Sequence, residues 1–210
     1  MNVGSVSIGL GACDTCIIEN NIISNNQNLN VRAILAPDRS LGPGDLPMDN
    51  ITVRNNSIYI NSTFGGTGIS VGNMGRGHTI VSNAIHYNGS ADSFNCFDAD
   101  LPTIDYLDID YNLCYTPNAS NAEWSNNFGS LSNWQLSSGF SQNSSENNSS
   151  FTNPTSNQLW AEDQNSAMIN AGHPTLSSLC DYNCTPRDMQ PDIGAFEWIA
   201  DDLLFFNGFE

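Results

Sequence analysis

The sequence contains no lysine, and its five basic residues are all arginine. Against 22 acidic residues they leave a formal net charge of −17 at pH 7. A chain this acidic is repelled by phosphate, so we expect no nucleic acid and no anionic membrane surface as partner. Uncharged or cationic partners remain open, whereas an anionic polysaccharide would require a local arginine patch or bridging cations.

Long hydrophobic runs are also missing. No stretch of about 18 apolar residues occurs, so the sequence predicts no membrane span. The beginning, MNVGSVSIGLGACDTC, lacks the basic start and the apolar core of a signal peptide. An acidic chain that is rich in asparagine and serine and has an even number of cysteines is nevertheless typical of secreted proteins. We therefore expect a secreted or cell-surface protein whose longer precursor carried the signal peptide.

The cysteines are few and unevenly spaced, at positions 13, 16, 96, 114, 180 and 184. Cys13 and Cys16 have the spacing of half a zinc site or of a redox pair. No second pair with matching spacing follows, and β-branched residues follow where a redox motif needs a helix. Structural disulfides, or isolated buried thiols, are the favoured interpretation. The most plausible local bridge joins Cys180 to Cys184 across a tight loop.

One asparagine pattern recurs in the first half of the chain. An apolar residue lies three positions before the asparagine and another lies two positions after it. The four asparagines are Asn21, Asn56, Asn83 and Asn112, at intervals of 35, 27 and 29 residues. Intervals of this size indicate stacked structural repeats. The segment PDRSLGPGDLPMD is interpreted as a long loop, which accounts for the longest interval.

Apolar residues alternate with polar ones on both sides of each asparagine, which is the period of a β-strand. Asparagine tolerates the left-handed conformation and bends a chain sharply, so each repeat predicts strand, bend, strand. GSVSIGL, VRAILA and GTGISVG predict further strands. Stacked coils of this kind form a parallel β-helix in which the asparagines hydrogen-bond as a ladder. A β-propeller is the competing fold, but each blade needs four strands in about 40 residues.

After residue 116 the repeat ends. SLSNWQLSSG predicts a short helix that begins at a serine, has Leu131 and Trp134 on one face and ends at Gly139. We expect coils over residues 1–116, a capping segment of the same domain over 117–198 that closes the open end of the stack, and a tail over 199–210.

Two groups of residues resemble a known family. Gly66-x-Gly-Ile-x-Val71, together with the asparagine pattern, resembles the bacterial right-handed parallel β-helix repeats of the pectate-lyase-like superfamily. Ser166–Gly172 and Asp192–Glu197 resemble the C-terminal segment of secreted choice-of-anchor proteins, and DDLLFFNGFE resembles C-terminal signatures of surface proteins. The resemblance implies an all-β, right-handed helix of about four coils with a cap that contains a short helix, in an exported bacterial protein.

The resemblance further implies a link to polysaccharides, although no catalytic motif of the family matches residue by residue. Arg76 and His78 are the catalytic candidates. Asp108 and Asp110 alternate along one strand and are expected to face outwards, close enough to share a cation such as Ca²⁺. A solvated acidic strand face is the simpler interpretation of the two aspartates.

Aromatic side chains on the outer surface are the candidates for sugar binding, and alternation assigns Tyr59 and Tyr106 to that surface. The leading hypothesis is a non-catalytic module associated with polysaccharide. A polysaccharide lyase and a structural or adhesive stalk are the alternatives, because a fold does not fix a function.

Overall fold

The computed structural model describes residues 5–37, 48–72, 75–99 and 105–199. Two predicted features therefore lie outside the described residues: most of the long loop, and the tail from residue 200 onwards. Within the described part, no helix is both long enough and apolar enough to cross a membrane.

Three parallel sheets, named here first, second and third, make up most of the molecule. The first sheet contains β1 (Ser5–Gly9), β4 (Val31–Pro37), β7 (Gly66–Gly72), β10 (Ser93–Asp98) and β13 (Asn121–Ser125). The second contains β2 (Ile17–Glu19), β5 (Thr52–Arg54), β8 (His78–Val81) and β11 (Tyr106–Asp110). The third contains β3 (Ile22–Asn25), β6 (Ser57–Ile60), β9 (Ala84–Tyr87) and β12 (Leu113–Tyr115). Successive strands of the chain belong to different sheets, so each coil contributes one strand to every sheet.

Register explains why the apolar positions of the repeat recur. Ile18 pairs with Val53, Val53 with Ile80, and Ile80 with Ile109, so one column runs through the second sheet. A second column runs through the third sheet at Ile23, Ile58, Ile85 and Cys114. Both columns are buried in the main core, where their contacts supply the hydrophobic free energy that holds the coils together. The predicted parallel β-helix is confirmed.

The asparagines form the column that their spacing predicts, at the corner between the second and third sheets. Nδ2 of Asn21 donates to Oδ1 of Asn56 (2.9 Å), Asn56 donates to Asn83 (2.9 Å), and Asn83 donates to Asn112 (3.0 Å). Each acceptor Oδ1 also receives the backbone N–H of the asparagine below it. The ladder thus satisfies backbone and side-chain groups together in a buried place.

The sharp bend itself is made by a different residue from the one that the sequence indicates. The positive φ angles belong to the position before each ladder asparagine, namely Asn20, Asn55, Ser82 and Tyr111, with φ between 52° and 58°. These four residues are called the corner residues below. The ladder asparagine is therefore free to use its amide between coils, while the corner residue adopts the left-handed conformation.

Two disulfides are present, and they join Cys13 to Cys16 and Cys96 to Cys114. The second connects β10 to β12, on successive coils. Cys180 and Cys184 are free thiols in the structure, so the expected local bridge between them is wrong here. Solvent reaches these thiols, since Cys184 is exposed and Cys180 is only partly buried.

The predicted short helix is confirmed as α1 (Leu131–Ser138). The side chain of Ser130 accepts the N–H of Asn133 at its start, and Gly139 ends it in the left-handed conformation. Leu131 and Trp134 are buried in the main core, against the coil that β13 completes. The helix therefore covers the C-terminal end of the stack.

After α1 the chain returns along the outside of the coils. A hairpin of β14 (Phe151–Asn153) and β15 (Gln158–Ala161) places Phe151 and Leu159 over the outer face of the third sheet, in a second apolar cluster with Tyr59 and Leu113. Residues 166–197, called the flank segment below, then follow the corner residues. The C-terminal part thus covers the side of the helix as well as its end.

Candidate functional site

The flank segment is attached to the corner residues one coil at a time. Nδ2 of Asn20 donates to the carbonyl of Cys180 (2.8 Å), and Oδ1 of Asn55 accepts the N–H of Ser178 (2.7 Å). Oγ of Ser82 accepts the N–H of His173 (2.8 Å). Since every bond uses a residue of a different coil, the segment bridges three successive coils and fixes their spacing.

Arg187 is the centre of this attachment. Its guanidinium donates to the Glu197 carboxylate (2.9 Å), to Oδ1 of Asn20 (3.2 Å) and to the carbonyl of Gly194 (2.7 Å). The side chain is 2% exposed, and burial lowers the arginine pKa while the Glu197 charge opposes that shift. The carboxylate of Glu197 also accepts the N–H of Asp192 (3.0 Å). The motif Asp192–Glu197 therefore locks the flank segment in place.

Of the catalytic candidates, Arg76 lies in the irregular segment before β8, and His78 is the first residue of that strand. The backbone N–H of Arg76 donates to the Asp49 carboxylate (2.9 Å), and its side chain is exposed. His78 is fully buried, and its Nδ1 accepts the N–H of Ile51 (3.3 Å). His78 lies on β8 beside the acidic strand β11, where its ring packs against Tyr106 with centroids 5.8 Å apart. Only the backbone of Arg76 takes part in the contact with Asp49.

Asp108 and Asp110 lie on one side of β11, as alternation predicts, and both contact the C-terminal part of the chain. Asp108 pairs with Nε2 of His173 (3.3 Å), and burial raises the pKa of its carboxyl. Asp110 accepts from the backbone (2.8 Å) and side chain (2.9 Å) of Asn143. Among the described residues, no group of three or more acidic, histidine or cysteine side chains is arranged to hold a metal ion.

Asp108, His173 and Ser177 lie near one another but are not a catalytic triad. Nδ1 of His173 accepts the backbone N–H groups of Thr175 (3.2 Å) and Leu176 (3.1 Å), so it is not directed at a hydroxyl. Oγ of Ser177 instead contacts Oγ of Ser82 (2.8 Å). A general base must reach the proton that it removes, and here the imidazole is occupied on both sides.

Tyr59 and Tyr106 are not available for stacking on sugar, which corrects the expectation that they face solvent. Tyr59 does point away from the main core, but the hairpin covers it and leaves 2% exposed. Tyr106 is 5% exposed, and its hydroxyl donates to the carbonyl of Val71 (2.7 Å). For Tyr59, alternation identifies the correct side of the sheet but not what later covers that side. For Tyr106 the alternation itself fails: the side chain packs in the main core, and the register of β11 is irregular between Tyr106 and Asp108.

An open cavity of about 340 Å³ lies between the hairpin and the end of the flank segment. Trp160, Phe196 and Trp198 form its aromatic walls, and Met168 and Ile193 contribute to its apolar lining. Trp160 and Phe196 meet edge to face with ring centroids 5.4 Å apart. This volume is in the range of small-molecule pockets, and its mixture of aromatic and polar groups is typical of them.

The polar part of the lining includes Asp181, Asn183 and Thr185. Oδ1 of Asp181 accepts the N–H groups of Asn183 and Thr185, both at 2.8 Å, which orders the loop beside the cavity. Tyr182 on the same loop is 55% exposed and lies against Phe196, with centroids 5.4 Å apart. The loop thus adds amide and hydroxyl groups and one more aromatic ring beside the opening.

Two further carboxylates line the cavity, but both are held by hydrogen bonds within the protein. Burial raises the pKa of Asp192 to about 6, and its oxygens accept the N–H groups of Asn170 and Trp198. Glu197 is occupied by Arg187. Carboxylates fixed in this way hold the cavity wall in shape.

Sequence reasoning missed this cavity. QLWAE and GAFEW contain Trp160, Phe196 and Trp198, but the sequence pattern assigns both segments only to the cap. The signal that would have found them is the concentration of two tryptophans and a phenylalanine among polar residues, since large aromatic side chains near a surface are typical of binding sites.

In comparisons with known proteins, no family model, no curated protein and no solved structure matches the chain. The architecture nevertheless defines the class. The chain is a parallel β-helix protein with an asparagine ladder, stabilised by disulfides, and with a C-terminal part that packs along its flank.

Proposed function

We propose that the chain is a secreted or cell-surface β-helix module that binds polysaccharide without cleaving it. The observation that carries the proposal is the aromatic cavity formed by Trp160, Phe196 and Trp198. Flat aromatic rings suit the C–H faces of a pyranose, and neighbouring amide and hydroxyl groups suit its hydroxyls. With a net charge of −17, the favoured ligand is an uncharged glycan.

The wider setting supports this proposal. Disulfides are typical of extracellular proteins, and the sequence resembles β-helix repeats of the pectate-lyase-like superfamily and choice-of-anchor C-terminal segments. We propose, as parts of the same hypothesis, that the chain belongs to that superfamily, that its C-terminal segment is an anchor motif, and that the protein is exported. The polysaccharide lyase and the adhesive stalk remain alternatives that the same experiment separates.

The test is a binding survey with the whole chain against insoluble neutral polysaccharides and against soluble alginate and pectin with Ca²⁺. We expect binding to at least one neutral glycan and no rise in absorbance from unsaturated uronate. Trp160→Ala should weaken that binding about tenfold, because an aromatic anchor at the centre of a site contributes about 1–2 kcal/mol.

Trp160→Phe and Leu136→Ala are the matched controls. The first retains a ring at the cavity and should retain most of the binding, and the second removes an apolar side chain that is 89% exposed on α1. Release of unsaturated products would favour the lyase. Absence of both binding and cleavage over the whole survey would reject the binding module and favour the stalk.

A further inference from the structure

The cavity beside the hairpin combines aromatic rings with negative charge. Trp160, Phe196 and Trp198 line it, and Tyr182 lies against Phe196 with ring centroids 5.4 Å apart. The rings do not share one plane, since Trp160 and Phe196 meet at 77° and Tyr182 is tilted by 51° from Phe196. A sugar ring stacks on a single flat surface, whereas rings at such angles contact a compact group from more than one side.

The charges on the cavity lining have one sign. Asp181, Asp192 and Glu197 line the cavity, and none of the described lining residues is lysine, arginine or histidine. Arg187 pairs with Glu197 (2.9 Å), but its side chain is 2% exposed, so it compensates one of the three negative charges without entering the lining. The formal net charge of −17 on the whole chain acts in the same direction. The cavity therefore attracts cations and repels anions.

The three carboxylates supply charge but leave little capacity for new hydrogen bonds. Each of them already accepts two or three hydrogen bonds from the protein. The donors are backbone N–H groups, apart from the guanidinium of Arg187. A primary ammonium ion that enters the cavity loses water from its N–H groups, and burying these groups without new partners costs free energy. A quaternary ammonium ion has no N–H group, so the lining favours this kind of cation.

We infer that this cavity binds a quaternary ammonium ion, such as the trimethylammonium group of choline, independently of the glycan proposed above. The methyl groups of such an ion carry its positive charge and lie against the faces of the aromatic rings, where the ring quadrupole attracts them. Trp160 is the main contact, because indole gives the strongest attraction of this kind and the side chain is 36% exposed. Asp181, Asp192 and Glu197 add the attraction of their charges.

The test compares choline with neohexyl alcohol, its neutral isostere, in which a carbon atom replaces the nitrogen. Both ligands have equivalent methyl groups, whose proton NMR signal is followed as the whole chain is added. The titrations contain no glycan, so their result is separate from that of the polysaccharide survey. At about 0.15 M NaCl, which screens the general attraction between choline and the protein, we expect choline to bind at least about tenfold more tightly than the alcohol.

A variant of the cavity wall tests the role of the aromatic ring. Trp160→Leu keeps an apolar side chain but removes the aromatic face, so it should weaken choline binding about tenfold. Trp160→Phe is the matched control, since it keeps a ring and should retain more of the affinity for choline than the leucine variant. The comparison of the two ligands uses the wild-type chain, so it decides the matter even if a variant does not fold. The inference is overturned if choline does not bind, if choline and the alcohol bind equally well, or if a folded Trp160→Leu variant binds choline as tightly as wild type.

Discussion

At the scale of single residues, His86 shows how a covering segment changes the chemistry of a side chain. It lies on the outer side of β9 among Tyr59, Tyr115 and Phe151, and its Nδ1 contacts Oγ of Ser149 (3.1 Å). Burial lowers its pKa from 6.5 to about 4. The folded state thus holds the imidazole neutral at pH values where the unfolded chain would protonate it.

This shift predicts a pH-dependent contribution to stability. A lowered folded-state pKa contributes stability that is present above pH 6.5 and is lost as pH falls towards 4. The contribution is about 3 kcal/mol for a shift of this size. The substitution His86→Phe keeps an aromatic ring in the cluster but has no titrating group, so it should remove this pH-dependent contribution to stability. Urea unfolding of both proteins at pH 7 and pH 4 measures the difference.

Asp192 acts in the opposite direction, because burial raises its pKa to about 6. Its contribution is present below pH 3.8 and is lost as pH rises through 6, so it partly offsets that of His86. Both wild type and the His86 variant contain Asp192, so its contribution cancels when their stabilities are compared. The remaining pH-dependent difference is that of His86. A stability difference between wild type and variant that is the same at both pH values would contradict the assignment.

At the scale of elements, the ladder couples the coils to one another. Nδ2 of Asn83 donates to the carbonyls of Val53 (2.9 Å) and Val81 (3.1 Å) as well as to Asn112, and its Oδ1 accepts two bonds from Asn56. Because Asn83 is fully buried, water cannot replace any of these partners.

Asn83→Ala should therefore lower the free energy of unfolding by about 2–4 kcal/mol, since it leaves several buried groups without partners. Guanidinium unfolding followed by circular dichroism measures the change. Asn26→Ala is the matched control, because Asn26 is exposed, and it should stay within about 0.5 kcal/mol of wild type. Equal effects of the two substitutions would show that the ladder does not hold the coils.

At the scale of the whole molecule, the C-terminal part wraps the β-helix. It covers one end through α1, one face through the hairpin and one corner through the flank segment. Arg187 joins the last of these to Asn20 on the first coil, 167 residues away in sequence. Coils that are distant along the chain are therefore stabilised by one buried guanidinium.

Arg187→Lys should destabilise the molecule by about 3 kcal/mol or more. Lysine retains the charge but cannot reproduce the planar set of donors, and it leaves buried acceptors unpaired. We expect limited proteolysis to cleave the flank segment faster than in wild type. Arg32→Lys, at an exposed position on β4, is the matched control and should leave both measurements unchanged. If the Arg187 variant were as stable as wild type and its flank segment were cleaved no faster, Arg187 would not be what holds the flank segment in place.

The sequence by itself determined the coil architecture. The spacing of Asn21, Asn56, Asn83 and Asn112 and the alternation around them predicted the strands, the ladder and the apolar columns, because these depend on a local period that recurs. Ser130 and Gly139 likewise fixed the limits of α1, since capping is a local property.

Only the tertiary structure decided which surfaces remain open. Tyr59 lies on the predicted side of its strand, yet the hairpin covers it, and Trp160 gains its place beside Phe196 through a contact between distant parts of the chain. The positions of Arg187, His173 and the thiols of Cys180 and Cys184 likewise depend on how the flank segment packs. The alternation of apolar and polar residues along a strand carries no information about such long-range packing. The burial of a surface depends on which segments, distant in sequence, pack against it.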